Sequence, residues 1–180
     1  MPVATPLVTP VELPPQSAIA ALYEPVSLKD AFAIDLPPGA SGDPAVLARF
    51  IFANQPAWIG ALTRMRDAFV TPFGLKTGTH LASLAADAQA QRIGIFKVYG
   101  TSVSEIVLGE DDKHLNFRVS ILCSAPAASS AGRTLTASTV VQCHNALGRA
   151  YILAIAPFHR AVVKASLRRA ACIGWPMASA

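Results

Sequence analysis

Four β-prone segments follow one another between residues 93 and 144, and one long helical pattern comes directly after them. The segments are "IGIFKVYG" (Ile93–Gly100), "SVSEIVLG" (Ser102–Gly109), "HLNFRVSILCS" (His114–Ser124) and "RTLTASTVVQCH" (Arg133–His144). They are rich in Val, Ile, Thr and Phe, and short Gly-, Asp- or Ser/Ala-rich turns join them, as in an antiparallel meander. A sheet that buries one face needs a second layer on that face. The helical pattern from about Ala146 to Ala171 is the only element long enough to supply it.

Upstream, "SLKDAFAIDLP" reads as a further strand, in which Leu28, Phe32 and Ile34 alternate with polar or small residues and Asp30 interrupts the apolar face. "DPAVLARFIFANQ" reads as a helix capped by Asp43 with Pro44 in its first turn, and with Val46, Phe50 and Ala53 on one face. A second helix follows over "PAWIGALTRMRDAFVTPFG", where Trp58, Leu62, Met65 and Phe69 recur at helical spacing as core residues. Residues 75–92 fit a short helix or a loop. On the last helix Arg149, Arg160, Lys164 and Arg168 share one side, and Tyr151, Ile155, Phe158 and Val162 the other. Pro157 should kink or break it. The expected class is α+β. Residues 1–22 form a proline-rich, extended, partly mobile arm, 23–172 a single domain, and 173–180 a tail.

Of the 180 residues 52% are apolar and 14% charged, which calls for a large core, a lined cavity, or a face that meets lipid or a partner. The longest run without Asp, Glu, Lys or Arg, Thr134 to Gly148, holds 15 residues, and a spanning helix wants roughly 20 apolar ones. No transmembrane segment is therefore expected. "MPVATPLVTPVELPP" lacks the basic region of a signal peptide. Three cysteines without metal-ligand spacing suggest reduced thiols and a cytoplasmic protein. Residues 1–112 hold all eleven acids and carry a net charge of −4, whereas 113–180 carry +8. The basic residues are too scattered for a nucleic-acid surface, and the simplest reading docks one half on the other. The chain shows no phosphate loop or zinc pattern, so no cofactor and no metal is expected.

Charge does concentrate in "LGEDDKHLNFRVS" (Leu108 to Ser120). If the loop between the third and fourth meander strands centres near Ala128 or Ser129, His114 lies opposite His144 and Cys123 opposite Leu135, which excludes a Cys123–Cys143 bridge. The turn Glu110–Lys113 and the start of the last helix then meet at the same corner. His114 and His144 with Asp111 or Asp112 could carry out acid–base catalysis, since a carboxylate orients an imidazole. Two histidines and a carboxylate could also bind a metal. Equally, the imidazoles could tie hairpin ends together. His114, Asn116, Arg118 and Ser120 share one face of their strand, and Leu115, Phe117, Val119 and Ile121 the other. Arg118 could pair with Glu105 or, facing a cavity, recognise a carboxylate or phosphate. Tyr151 could direct its hydroxyl into a cavity. His159 reads as a hydrogen-bonded histidine at the core's edge, and His80 as a loop residue.

Three stretches carry a resemblance: "PAWIGALTRMRDAFVTPFGLKT", "EIVLGEDDKHLNFRVS" and "TVVQCHNALGRAYILAIAPFHRAVVKASLRR". They resemble the bacterial domain-of-unknown-function family 2867, from about Leu28 to Arg169. The resemblance marks Glu105, Gly109, Asp111, Asp112, His114, Arg118, His144, Gly148, Tyr151, Pro157 and His159 as positions of the family pattern and assigns none of them a task. The family is in turn similar to the helix-grip superfamily of START-like, polyketide-cyclase and birch-pollen-allergen-like proteins (SRPBCC). That implies a curved antiparallel sheet wrapped around a long C-terminal helix, with two helices inserted after the first strand. The helix-grip fold usually has seven strands, and five are counted here.

The expected function is binding of a hydrophobic small molecule or lipid in a pocket between sheet and last helix. Arg118, His114, His144, Tyr151 and His159 are its candidate polar contacts. The alternatives are a cyclase, dehydratase or hydrolase using the His/Asp corner, and a module that touches anionic membranes or a protein partner through the basic helix stripe.

Overall fold

The computed structural model describes residues 6–70, 91–125 and 132–178. In chain order its elements are β1 (Thr9–Pro10), β2 (Leu28–Leu36), α1 (Pro44–Ala53), α2 (Ala57–Val70), β3 (Arg92–Ile93), β4 (Phe96–Thr101), β5 (Glu105–Asp111), β6 (Leu115–Ser124), β7 (Arg133–Cys143) and α3 (Ala146–Ile173). All seven strands join one open antiparallel sheet in the order β1-β2-β7-β6-β5-β4-β3. The first long strand thus pairs with the last, and the meander runs outward from there. The two strands beyond the expected five, β1 and β3, have two residues each and leave no periodicity in the sequence. The β6–β7 register matches the expectation: Leu115 pairs with Cys143 and Cys123 with Leu135, and the His144 N–H donates to the His114 carbonyl at 2.9 Å. All three cysteines are free.

Both faces of the sheet are covered. The inner face carries the cross-strand rows Phe32–Ala137–Ile121–Ile106 and Asp30–Thr139–Val119–Leu108. The first of these rows joins Leu47, Ala48 and Ile51 of α1 and Leu167 and Ala170 of α3 in the main core. The outer face presents Val107, Arg118, Ser120 and Val140. The N-terminal arm lies over it, with Leu13, Ile19 and Tyr23 packed on Val107 and Val140. Ile19 and Ser17 are buried, so this part of the arm is docked on the sheet. The buried carboxylate of Glu105 anchors it, accepting from the hydroxyls of Ser17 and Ser120, each at 2.5 Å, and from the Ala18 N–H at 2.9 Å.

The expected Asp43 cap forms, and Asn145 caps α3. Asp43 accepts from the N–H groups of Ala45 and Val46, and Asn145 accepts from Gly148 at the start of α3. The helix faces differ from the expectation. In α1 the buried residues are Leu47, Ala48 and Ile51, while Val46 is exposed. In α2 Ile59 is buried and Trp58 is half exposed; Met65 and Phe69 have no described side chains. In α3 Ile152, Ser166, Leu167 and Ala170 are buried and Phe158 is exposed. Tertiary packing, with the sheet covered on both sides, overrode the spacing argument. The helix also runs unbroken through Pro157. Proline removes the bond to the carbonyl four residues earlier, and that residue, Leu153, is exposed, so water can serve its oxygen. Trp175, in the stretch expected as a tail, enters the core beside Phe50, with ring centroids 6.1 Å apart.

Candidate functional site

A cavity of about 410 Å³ lies between the inner face of the sheet and the helices. Its walls come from Ile51 and Phe52 of α1, Ile59 of α2, Phe96 of β4, Val119 and Ile121 of β6, Ala137 of β7, and Val162, Val163 and Leu167 of α3. The pleat explains the lining. Val119 and Ile121 are every-second residues of β6, and Ala137 opposes Ile121 with too small a side chain to fill the gap to α3.

Polar groups enter this apolar shell at few points: Gln55, Thr139, His159 and Ser166. Thr139 is the cross-strand partner of Asp30. The His159 ring crosses from α3 to meet both, with Nε2 3.1 Å from Thr139 Oγ1 and 3.4 Å from Asp30 Oδ1. Arg160 Nε approaches the other carboxylate oxygen at 3.6 Å. Both oxygens of Asp30 are buried, and neither makes a hydrogen bond among the described residues. Ser166 is buried, and its hydroxyl likewise has no hydrogen-bond partner among the described residues. Such groups are uncommon in folded proteins. This wall can donate to or accept from a polar atom on an otherwise apolar guest.

Of the expected contact residues His159 alone lines this cavity. Arg118 projects from the opposite face of the sheet. There its guanidinium grips Asp111 in a two-pronged pair (Nη1–Oδ1 2.8 Å, Nη2–Oδ2 3.2 Å) and stacks on the Tyr99 ring, 3.5 Å from its centroid. The expected Arg118–Glu105 pair does not form. Glu105 is the partner of Leu122, four residues along β6 from Arg118, or about 14 Å of strand. Tyr151 packs with Leu28, Leu115, Val141 and Ile152 near the start of α3.

The hairpin corner assembles, but its side chains diverge. Asn145 Nδ2 lies 2.9 Å from His114 Nδ1, tying that ring to the cap of α3. In the amide orientation that satisfies its neighbours, Asn116 donates to His144 Nε2 at 3.1 Å and to Asp111 Oδ1 at 3.3 Å. Asp112 Oδ1 accepts from the His114 N–H within the turn. Each imidazole therefore serves a different asparagine, and no group of three or more His, Cys, Asp or Glu side chains among the described residues is arranged to hold a metal. His80 lies outside the described residues. Close packing fixes the corner: a Cβ on Gly148 would collide with the His114 carbonyl oxygen, and one on Gly109 with that of Phe117.

Burial, followed by the 2.8 Å hydrogen bond to Asp111, pushes the Tyr99 phenol up to about 12. Burial also raises Tyr23, which packs with the arm on the outer face of the sheet, and the Cys123 thiol.

Asp30, Thr139, Ser166 and Gln55 were not singled out as site residues from sequence. One signal was present. Asp30 is the acid that interrupts the apolar face of β2, and a charge facing a core needs a partner.

Among the described residues no helix is long and apolar enough to cross a membrane. No curated protein and no solved structure matches the chain. A family model described as a protein of unknown function, DUF2867, matches residues 22–166, from the end of the docked arm to the cavity serine of α3, and the chain belongs to that family.

Proposed function

We propose that the chain binds a hydrophobic small molecule in the cavity between the sheet and α3, on a helix-grip scaffold. The cavity carries the proposal. Its volume of about 410 Å³ falls in the ~300–1,000 Å³ range of ligand pockets, and its walls are apolar with few polar groups, as such sites are built. The strand order supports the scaffold. The first long strand pairs with the last, two helices follow it, and the long C-terminal helix packs against β2, β7 and α1.

The other readings have less support. A catalytic corner would need His114 and His144 to serve one point, and they are engaged by Asn145 and Asn116. In the basic stripe Arg160 turns to Asp30, and Lys164 lies over the Phe32 ring, its Nζ 5.1 Å from the centroid.

The test is uptake of N-phenyl-1-naphthylamine, a neutral dye that brightens in apolar surroundings, by the wild type and by Ala137→Phe, which fills the cavity from the sheet side. Saturable binding by the wild type and at least tenfold weaker binding by a folded Ala137→Phe variant is the expected result. Absence of binding, or equal binding by both, sinks the proposal.

A further inference from the structure

The polar wall of the cavity specifies what kind of head group the guest carries. Thr139 already meets His159, and His159 and Arg160 both face Asp30. The imidazole and guanidinium at this wall are thus turned to a carboxylate that the protein itself has buried. A guest carboxylate placed against His159 would sit beside the buried Asp30 carboxylate, and two like charges at one buried wall disfavour each other. Ser166 presents the opposite case. Its hydroxyl is buried at the cavity, about two helical turns beyond His159, and has no partner among the described residues. It can donate to a carbonyl or ether oxygen, or exchange hydrogen bonds with an alcohol.

We infer that the cavity selects a neutral apolar molecule bearing a carbonyl or hydroxyl oxygen, which the Ser166 hydroxyl reads, and that Asp30 excludes the carboxylate of the same skeleton. This inference rests on the carrier reading above and adds the chemical class of the guest.

Three probes of equal chain length test it by displacement of N-phenyl-1-naphthylamine: decane, 2-decanone and decanoate, at about pH 8, where a carboxylic acid is ionised. In the wild type 2-decanone displaces the dye at a concentration at least tenfold below decanoate and several-fold below decane. Ser166→Ala brings the ketone-to-decane ratio close to one. Asp30→Asn narrows the ketone-to-decanoate gap. Decanoate displacing as well as or better than the ketone in the wild type overturns the inference, as does an unchanged ketone-to-decane ratio in Ser166→Ala. If the dye binds and all three probes act alike, the carrier reading stands and the selectivity fails. If neither the dye nor any probe binds, both fall.

Discussion

Glu105→Ala should release the N-terminal arm from the sheet before the sheet itself unfolds. The Glu105 carboxylate is buried and accepts from Ser17, Ser120 and the Ala18 N–H, so two of its three donors belong to the arm. Hydrogen bonds to a charged group contribute about 1.5–3 kcal/mol each. Three of them set an upper bound of roughly 5–9 kcal/mol. Two effects reduce it. Removing the charge relieves its own burial, which costs several kcal/mol per ion. The Ser17 and Ser120 hydroxyls, 3.4 Å apart, also recover a bond with each other. The net loss is then about 2–4 kcal/mol. Most of it should fall on the arm, because Ser120 remains held in the β6 ladder.

Urea unfolding reads the global loss, and amide hydrogen exchange over residues 13–23 reads the local one. Exchange there should rise about thirtyfold to several-hundredfold, at 1.36 kcal/mol per factor of ten, while the β6 and β7 amides change little. A double-mutant cycle with Ser17→Ala isolates the link: the two substitutions together should cost about 1 kcal/mol less than the sum of their separate effects. Additivity, or an arm that stays protected in Glu105→Ala, would refute the claim that this carboxylate holds it.

Other outcomes follow from single contacts. Gly148→Ala forces a Cβ onto the His114 carbonyl, and overpacking of this kind costs about 1–3 kcal/mol, only partly offset by the better helix propensity of alanine; a lower urea midpoint at constant slope checks it. The Tyr99 phenol titrates near 12 in the fold against 10.0 as the ordinary value, so between these limits the unfolded chain loses its proton first and stability falls as pH rises. Tyrosinate absorbance should lose its highest-pH phase in Tyr99→Phe. Of the thiols, exposed Cys172 should react first with a disulfide reagent, whereas Cys123, buried and shifted upward, should react only on unfolding; thiol counts over time decide it.

The meander, its register and the Asp43 cap were legible because they depend on local chemistry. β-branched runs end at turn residues, and the turn length then fixes which residues pair. Cys123 opposite Leu135 followed from nothing more. What a single strand cannot show is which of its two faces meets which layer. Arg118 was expected among the contacts of a pocket, on the polar side of β6 that also carries Asn116 and Ser120. That side lies instead on the outer face, where Ser120 is buried beneath the arm and Arg118 is bound to Asp111. The apolar side, Val119 and Ile121, lines the cavity.

That inversion has a physical cause that the sequence does contain. A proline-rich segment with Leu13, Ile19 and Tyr23 among its polar residues has apolar side chains to bury, and the sheet's second face offers Val107 and Val140 to receive them. Once that face is covered, several of its polar residues pair with one another, as Arg118 and Asp111 do, while the buried Ser138 and Tyr23 hydroxyls have no hydrogen-bond partner among the described residues. The residues on which the proposed carrier site rests break an apolar pattern on the helix-covered face: Asp30 in β2, Thr139 in β7, His159 and Ser166 in α3. Each is a polar residue where spacing calls for an apolar one. Three of them answer one another across the layers, and the fourth, Ser166, is left facing the cavity.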